Sequence, residues 1–468
     1  MEKRKQEKKM RKFFLIGLLF IFLSCSPKIS TNPIEKDCEY LRTVLTEASI
    51  DFNQAVDAGL DIDEFINDVK NRYIKFAEKD CKTKYEKPDE NGIYNTAFAV
   101  AITYALQNSL KRENTHMTIK GKNEYIAKSY VNRVYLSDIF FEKIDDAFYV
   151  QNKFNSDIAK GMKYTGNVEN IVKEYNNGDY VYRYIIFSEK ISLNTAEINL
   201  DNKIIEIPVR RDELNPRNGK DLWYEKKGNK LYIIARTFKP HLENNIENYE
   251  KTRDEICEKI NNFSTVIFDF RDNNGGYAAN FIPILATMLF GNIDFYNDER
   301  CRKLEADLEV GEIVLTTETI KNSYLLDGQM PSINYFEDKK ERYKTFTQEG
   351  ERIEIDNPAF NGKIFIIMNT FTTSAAEKSI AFLKYYFKDK VFLIGEKSAG
   401  MLDFGGSFSY LLPDSKIRIQ LCHIDNTGNK ILSKENGWRG DTEGFYPDYW
   451  IFSENEDYID DFIKLHSK

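Results

Sequence analysis

The chain is poor in histidine, proline and cysteine, with four, 11 and six of them in 468 residues. So few prolines, beside 42% hydrophobic and 30% charged residues, exclude collagen-like and disordered classes. None of the six cysteines stands in a C-x-x-C pair or a Cys/His cluster, so neither a metal nor another cofactor is expected. There is no basic stripe or arginine-rich segment, and the formal net charge is −8, so nucleic acid is not an expected partner. The apolar run Phe13 to Leu23, at 11 residues, is too short to cross a bilayer as a lone helix. What remains is a globular chain long enough for two or three cores.

The short apolar run belongs to a leader. Met1 to Lys12 carries seven Lys/Arg against Glu2 and Glu7, and Ser24-Cys25 closes the run. A positive start, a short apolar core and a small residue before the cut describe a secretory signal over 1–25. Phe22-Leu23-Ser24-Cys25 resembles the bacterial lipobox, although Phe22 stands where leucine is usual. That resemblance implies a lipid on Cys25, a tether over 26–32 and a membrane partner through the anchor. The place would be the cell envelope, on the periplasmic side or outer surface of a bacterial membrane. An uncleaved anchor or an ordinary secreted product is the alternative. Export permits a disulfide, and Cys38 with Cys81 is the candidate pair, five buried thiols being the other reading.

Three textures follow. Over 33–116, Tyr40, Leu41, Val44 and Leu45, then Phe65, Ile66, Val69, Tyr73 and Phe76, recur at helical spacing and predict a helical cap. Over 117–215, alternating runs such as Tyr180 to Phe187 and Lys203 to Val209 predict a β-rich module, without a clear carboxylate-binding loop of the PDZ kind. Over 222–468, buried runs at Leu231 to Arg236, Thr265 to Phe270, Lys363 to Met368 and Val391 to Ile394 alternate with helical stretches, which predicts an α/β sheet.

Two strand-to-helix turns carry chemistry-bearing residues. Arg271-Asp-Asn-Asn-Gly-Gly276 ends one strand, and Gly275 and Gly276 let bare N–H groups approach a ligand, as an oxyanion hole requires. By itself such a turn is more often a plain connection than a site. Asn369-Thr-Phe-Thr-Thr-Ser374-Ala-Ala-Glu377 follows another strand and puts a serine hydroxyl at a helix start, where an acyl-transfer nucleophile works. Its bland reading is a capping box, Ser374 with Glu377.

Together these segments resemble the tail-specific, or C-terminal processing, protease family of serine peptidases. Val266 to Gly276 is similar to its "strand, then D-x-R-x-N-x-G-G" element, and Ile366 to Glu377 to its nucleophile segment. Ile394 to Gly400 is similar to its "G-E-x-T-x-G" turn, and Leu411 to Ser415 and Glu443 to Asp448 to its later signals. The resemblance implies a crotonase-like ββα sheet core, Ser374 as nucleophile, and Gly275 or Gly276 with Ala375 as oxyanion donors. One departure matters. Members with a Ser/Lys dyad carry lysine where this chain has Met401, and a thioether is no base at neutral pH.

The branch that includes the tricorn core protease uses histidine instead. Of the four histidines, His116 lies in a segment similar to the family's "D-x-H-T" element, while His241, His423 and His466 lie in no such element. His116 is the candidate base, Glu443 the candidate orienting carboxylate, and Asp441 the second choice. Lys378 and Lys397 read as solvated amines. The expected function is a serine endopeptidase acting on peptides or partly unfolded proteins. A catalytically silent binding module, as in retinoid-binding relatives of this fold, is the alternative.

Overall fold

The computed structural model describes residues 31–110, 118–120, 125–126, 133–176, 178–188, 192–212, 220–240, 243–295, 297–308, 312–313, 353–427 and 429–467. The leader with Cys25, and the segment holding His116, lie outside these residues.

The first part is helical: α1 (Glu35–Ala48), α2 (Ile50–Asp57), α3 (Ile62–Thr83) and α4 (Asn95–Leu110). The α3 start is fixed by Asp61, whose carboxylate accepts the N–H groups of Asp63 and Glu64. Helix α4 has apolar residues all round and is the centre of the bundle, burying Ala97, Phe98, Ala101, Ile102 and Ala105. Its core is shared. Tyr410, Leu412, Ile417, Ile419 and Leu421, from far along the chain, complete the same cluster. Cys38 is buried in it, and Cys38 and Cys81 are both free thiols, which corrects the disulfide pairing weighed above.

Short strands follow: β1 (Thr118–Lys120), β2 (Tyr125–Ile126), β3 (Arg133–Ile144), β4 (Ala147–Val150), β5 (Ile171–Asn176), β6 (Asp179–Ser188), β7 (Thr195–Leu200), β8 (Lys203–Pro208) and β9 (Arg210–Arg211). Next come β10 (Leu222–Lys227), β11 (Lys230–Ala235), α5 (Glu243–Cys257), β12 (Thr265–Asp269), α6 (Ile282–Phe290), α7 (Glu299–Leu308) and β13 (Glu312–Ile313). The last elements are β14 (Lys363–Met368), α8 (Ala375–Phe387), β15 (Val391–Gly395), β16 (Phe404–Leu411), β17 (Arg418–Asp425), β18 (Tyr449–Trp450) and α9 (Ile459–His466).

The expected α/β architecture is present. Strands β11, β12, β14, β15 and β18 pair in parallel, and their residues are buried on both faces, which is why they read as continuous apolar runs. One face packs on α6 and α8, through residues such as Leu285, Ile380 and Leu383. The other packs on α9 through Phe462 and Ile463. The sheet then runs on, because Trp450 of β18 pairs with Glu174 of β5, and β6, β3 and β4 extend it in that order with antiparallel pairing. One 11-stranded sheet thus links the middle strands to the parallel core. A second sheet joins β1 to the β16–β17 hairpin, with Thr118 opposite Gln420.

Candidate active site

Two loops leave neighbouring parallel strands at the same sheet edge, 270–277 after β12 and 369–374 after β14. They are stitched together. The Asp272 N–H donates to Asn369 Oδ1 at 3.0 Å, Asn369 Nδ2 donates back to Asp272 Oδ1 at 2.6 Å, and Thr373 N–H donates to the Asn273 carbonyl at 2.9 Å. The Thr372 hydroxyl donates to the Phe270 carbonyl at 2.8 Å.

Ser374 sits half-buried at the start of α8 with φ 54° and ψ −117°. An ordinary N-cap serine is in the extended region. A non-glycine residue at this positive φ carries strain that persists only where surroundings over-determine it, as in the sharp turns that present nucleophiles. The bland capping-box reading does not account for that conformation. The capping box itself is formed, with Ser374 N–H donating to Glu377 Oε2 at 2.9 Å and the Ser374 side chain facing the Glu377 N–H, so cap and strained turn coexist at this residue.

Gly275 lies against the serine. A Cβ built on it would fall 2.8 Å from Ser374 Cβ and 3.0 Å from the Ala375 nitrogen, so no side chain fits. Its N–H, however, donates to Asn273 Oδ1 at 2.9 Å. Gly275 is therefore the close-approach residue rather than a free donor, which corrects the expectation that its N–H could hold the oxyanion. The N–H groups of Gly276 and Ala375 meet no acceptor among the described residues. Gly276 is pinned from behind by Phe238, whose N–H donates to the Gly275 carbonyl at 2.8 Å and whose carbonyl takes the Tyr277 N–H at 3.2 Å. Helix α6 begins at Ile282, after a single 3-10 turn over Ala278–Asn280.

Under the glycine loop lies a buried charge cluster. The Arg271 guanidinium grips Asp269 through Nε at 2.9 Å and Nη2 at 2.7 Å, and donates to Glu456 Oε1 at 2.5 Å. Arg236 adds two bonds of 3.0 Å to the same Asp269 carboxylate. Burial alone would raise the Asp269 carboxyl, but Arg271 and then Arg236 outweigh it and hold the group well below the usual carboxylate range.

Glu377, legible in the sequence only as a cap, is a hub. Its fully buried carboxylate accepts Ser374 N–H and Met401 N–H on one oxygen, and the Ser398 hydroxyl and Gly400 N–H on the other, at 2.6–2.9 Å. Burial pushes this carboxyl up, and the four donors oppose that. Position 401 thus contributes a backbone donor, not an amine.

Lys397 is also not what its sequence position suggests. Read as solvated, it is wholly buried, with Nζ donating to the carbonyls of Thr442 at 2.5 Å and Glu443 at 3.2 Å beside the rings of Phe187 and Tyr446. Burial lowers its pKa to about 8. Sequence reasoning missed it because the carbonyls that receive the ammonium lie 45 and 46 residues away.

Of the two carboxylate candidates, Asp441 is committed to its own turn, accepting Leu402 and Asp403 N–H groups at 2.6 and 2.8 Å. Glu443 is exposed, with Oε2 taking the Tyr446 hydroxyl at 2.7 Å. Its backbone packs on Gly400, where an added Cβ would lie 2.7 Å from the Glu443 nitrogen. Among the histidines, His466 is excluded as base. Its carbonyl takes Lys363 Nζ at the start of β14, whereas Ser374 follows the end of that strand, roughly 17 Å on. His116 and His241 lie outside the described residues, as does the side chain of His423. Among the described residues, no group of three or more His, Cys, Asp or Glu side chains could hold a metal ion, and no helix is long and apolar enough to cross a membrane.

Residues 232–450 match the model of peptidase family S41. No curated protein matches the chain. Among solved structures, the chain is similar to mature CPAF complexed with lactacystin, at 13% identity over 93% of this chain and 98% of that one, with a TM-score of 0.41. It is also similar to the photosystem II D1 C-terminal processing protease (12% identity, 90% of this chain and 93% of that one, TM-score 0.33). A third is the tricorn protease (14% identity, 85% of this chain and 35% of that one, TM-score 0.30).

Proposed function

Since its α/β part, residues 232–450, belongs to peptidase family S41, we propose that this chain is a serine-type endopeptidase acting through an acyl-enzyme on Ser374. The observation that carries the reading is the strained Ser374 backbone, at φ 54° and ψ −117°, set against Gly275 at the strand-to-helix turn. In the proposed reaction Ser374 Oγ attacks the peptide carbonyl and gives up its proton to a base. The Gly276 and Ala375 N–H groups hold the oxyanion, and water then releases the acyl group.

His116 is the proposed base and Glu443 the proposed orienting carboxylate. Support comes from the chain's connectivity. Thr118, two residues after His116, pairs with Gln420 of β17, opposite Ser409 of β16, and the N-terminal end of β1 faces the Phe404–Asp425 end of that hairpin, the end nearer Met401 in the chain. Two extended residues reach at most about 7 Å. Peptides or partly unfolded proteins are the proposed substrates, and the leader supports lipid anchoring at Cys25 in the cell envelope. If Cys25→Ala leaves membrane partition and mass unchanged, the anchor is wrong.

The test of mechanism compares His116→Ala, Ser374→Ala and the double variant on a peptide substrate. Members of one catalytic unit give strongly non-additive losses. A dead Ser374→Ala beside an unaffected His116→Ala would remove the histidine from the reading.

A further inference from the structure

Four consecutive residues after β18 each commit a side chain to a different part of the sheet. Ser453 binds Asp212 through both its N–H, at 3.2 Å, and its hydroxyl. Glu454 accepts Arg183 Nη1 at 2.5 Å and also Arg210. The buried Asn455 donates to Glu174 Oε1 at 2.7 Å. All these partners belong to the middle strands or the residue after them. Glu456 points the other way, to Arg271 under the glycine loop.

That loop needs external support. Gly275 and Gly276 take their positive φ of 84° and 126° freely, but Asp272, a non-glycine residue at φ 56°, holds a conformation that its surroundings must impose. Arg271 is 1% exposed, and Glu456 brings the Arg236, Asp269 and Arg271 group to neutrality; without it one guanidinium is left uncompensated below the loop. The middle cluster differs in sign. Glu174, Asp138 and Glu454 face Arg183 and Arg210, so removing the Glu454 charge leaves that cluster balanced.

We propose that residues 453–456 couple the middle strands to the acyl-transfer centre, with Glu456 a positioning residue for the 271–276 loop and Glu454 making that position depend on β3, β5, β6 and β9. For its activity readout this rests on the peptidase reading.

The test uses the full chain with Glu454→Gln and Glu456→Gln, the pair combined, and Asp37→Asn as a control. Asp37 holds Asp414 and Ser415 N–H groups in the helical part, away from Ser374. Two quantities are read below the unfolding midpoint of every variant: the rate of fluorophosphonate labelling, and hydrogen exchange of the 270–277 peptide, whose Asp272, Asn273 and Gly275 amides are bonded. Both coupling variants are expected to slow labelling by about 10-fold or more and to speed exchange of that peptide, with the double variant no worse than Glu456→Gln alone. The control should do neither. Wild-type rates and exchange in Glu454→Gln would overturn the coupling, whatever Glu456→Gln does. If the wild type takes no label, the peptidase reading fails and exchange alone decides: faster exchange in Glu454→Gln upholds the coupling, and unchanged exchange overturns it.

Discussion

Two ion clusters, each bonded to a glutamate of the same 3-10 turn, Ser453–Tyr458, show opposite uses of the same chemistry. In the Arg236, Asp269, Arg271 and Glu456 cluster the signs match, and Asp269 is pulled well below its ordinary range. In the Arg183 cluster three carboxylates meet two guanidiniums. There burial, with Glu454 adding to it, pushes Glu174 up to about 7, against the pull of Arg183. The difference teaches that the first cluster fixes a geometry independently of ordinary pH, while the second carries a proton that comes and goes near neutrality.

Breaking the balanced cluster should have the largest effect. Arg271→Met strands Asp269 and Glu456, and the loss of one partner from a buried pair costs about 3–5 kcal/mol. Chemical denaturation should show that loss together with abolished peptide turnover. Near-wild-type stability would mean that Arg236 alone suffices for Asp269.

The loop above that cluster should be nearly as sensitive in activity. Gly275→Ala puts a methyl 2.8 Å from Ser374 Cβ at a φ of 84°. Turnover should fall by about 100-fold or more, because misplacing a nucleophile by about 1 Å has that cost. Peptide-hydrolysis kinetics, with circular dichroism as the check on folding, will show it.

The unbalanced cluster predicts a pH slope. Glu174 has its folded-state pKa raised from 4.5 to about 7, so between those values the native state holds more protons than the unfolded state. Stability from this group therefore falls as pH rises through that window, by up to about 3 kcal/mol. Glu174→Gln should flatten that part of a stability-versus-pH curve. An unchanged slope would place the proton elsewhere.

Lys397 sharpens the contrast as a buried charge that leans on carbonyls rather than a bonded carboxylate. Its pKa is lowered from 10.5 to about 8, so the unfolded state binds more protons between those values, and stability from this group rises with pH there. The gain is at most about 3 kcal/mol and should vanish in Lys397→Met. A wild-type curve that is flat or falling from pH 8 to 10 would contradict it.

Much of the fold was legible because the parallel strands are buried on both faces. The runs at Lys363–Met368 and Val391–Gly395 and the helix Ala375–Phe387 lie where the apolar pattern puts them. Pairing was not legible, since the contact of Trp450 with Glu174 joins residues 276 positions apart and leaves no local pattern. Nor was the dependence of the helical core on Tyr410 to Leu421. At the site, the residue types were readable and their bonding was not. Glu377 looked like a cap because its spacing from Ser374 is that of a cap, while its other three donors come from the 398–401 turn. Gly275 looked like an oxyanion donor, and the Asn273 side chain that takes its N–H is two residues back, in a loop whose turn geometry the sequence does not specify.

An activated Ser374 is what the proposed acyl transfer requires before anything else. Incubating the purified chain with a fluorophosphonate and mapping the adduct by peptide mass spectrometry measures this directly, with Ser374→Ala beside it. The predicted result is a single adduct on Ser374, absent from Ser374→Ala. No adduct on the folded wild-type chain, or an adduct on another serine, would contradict it.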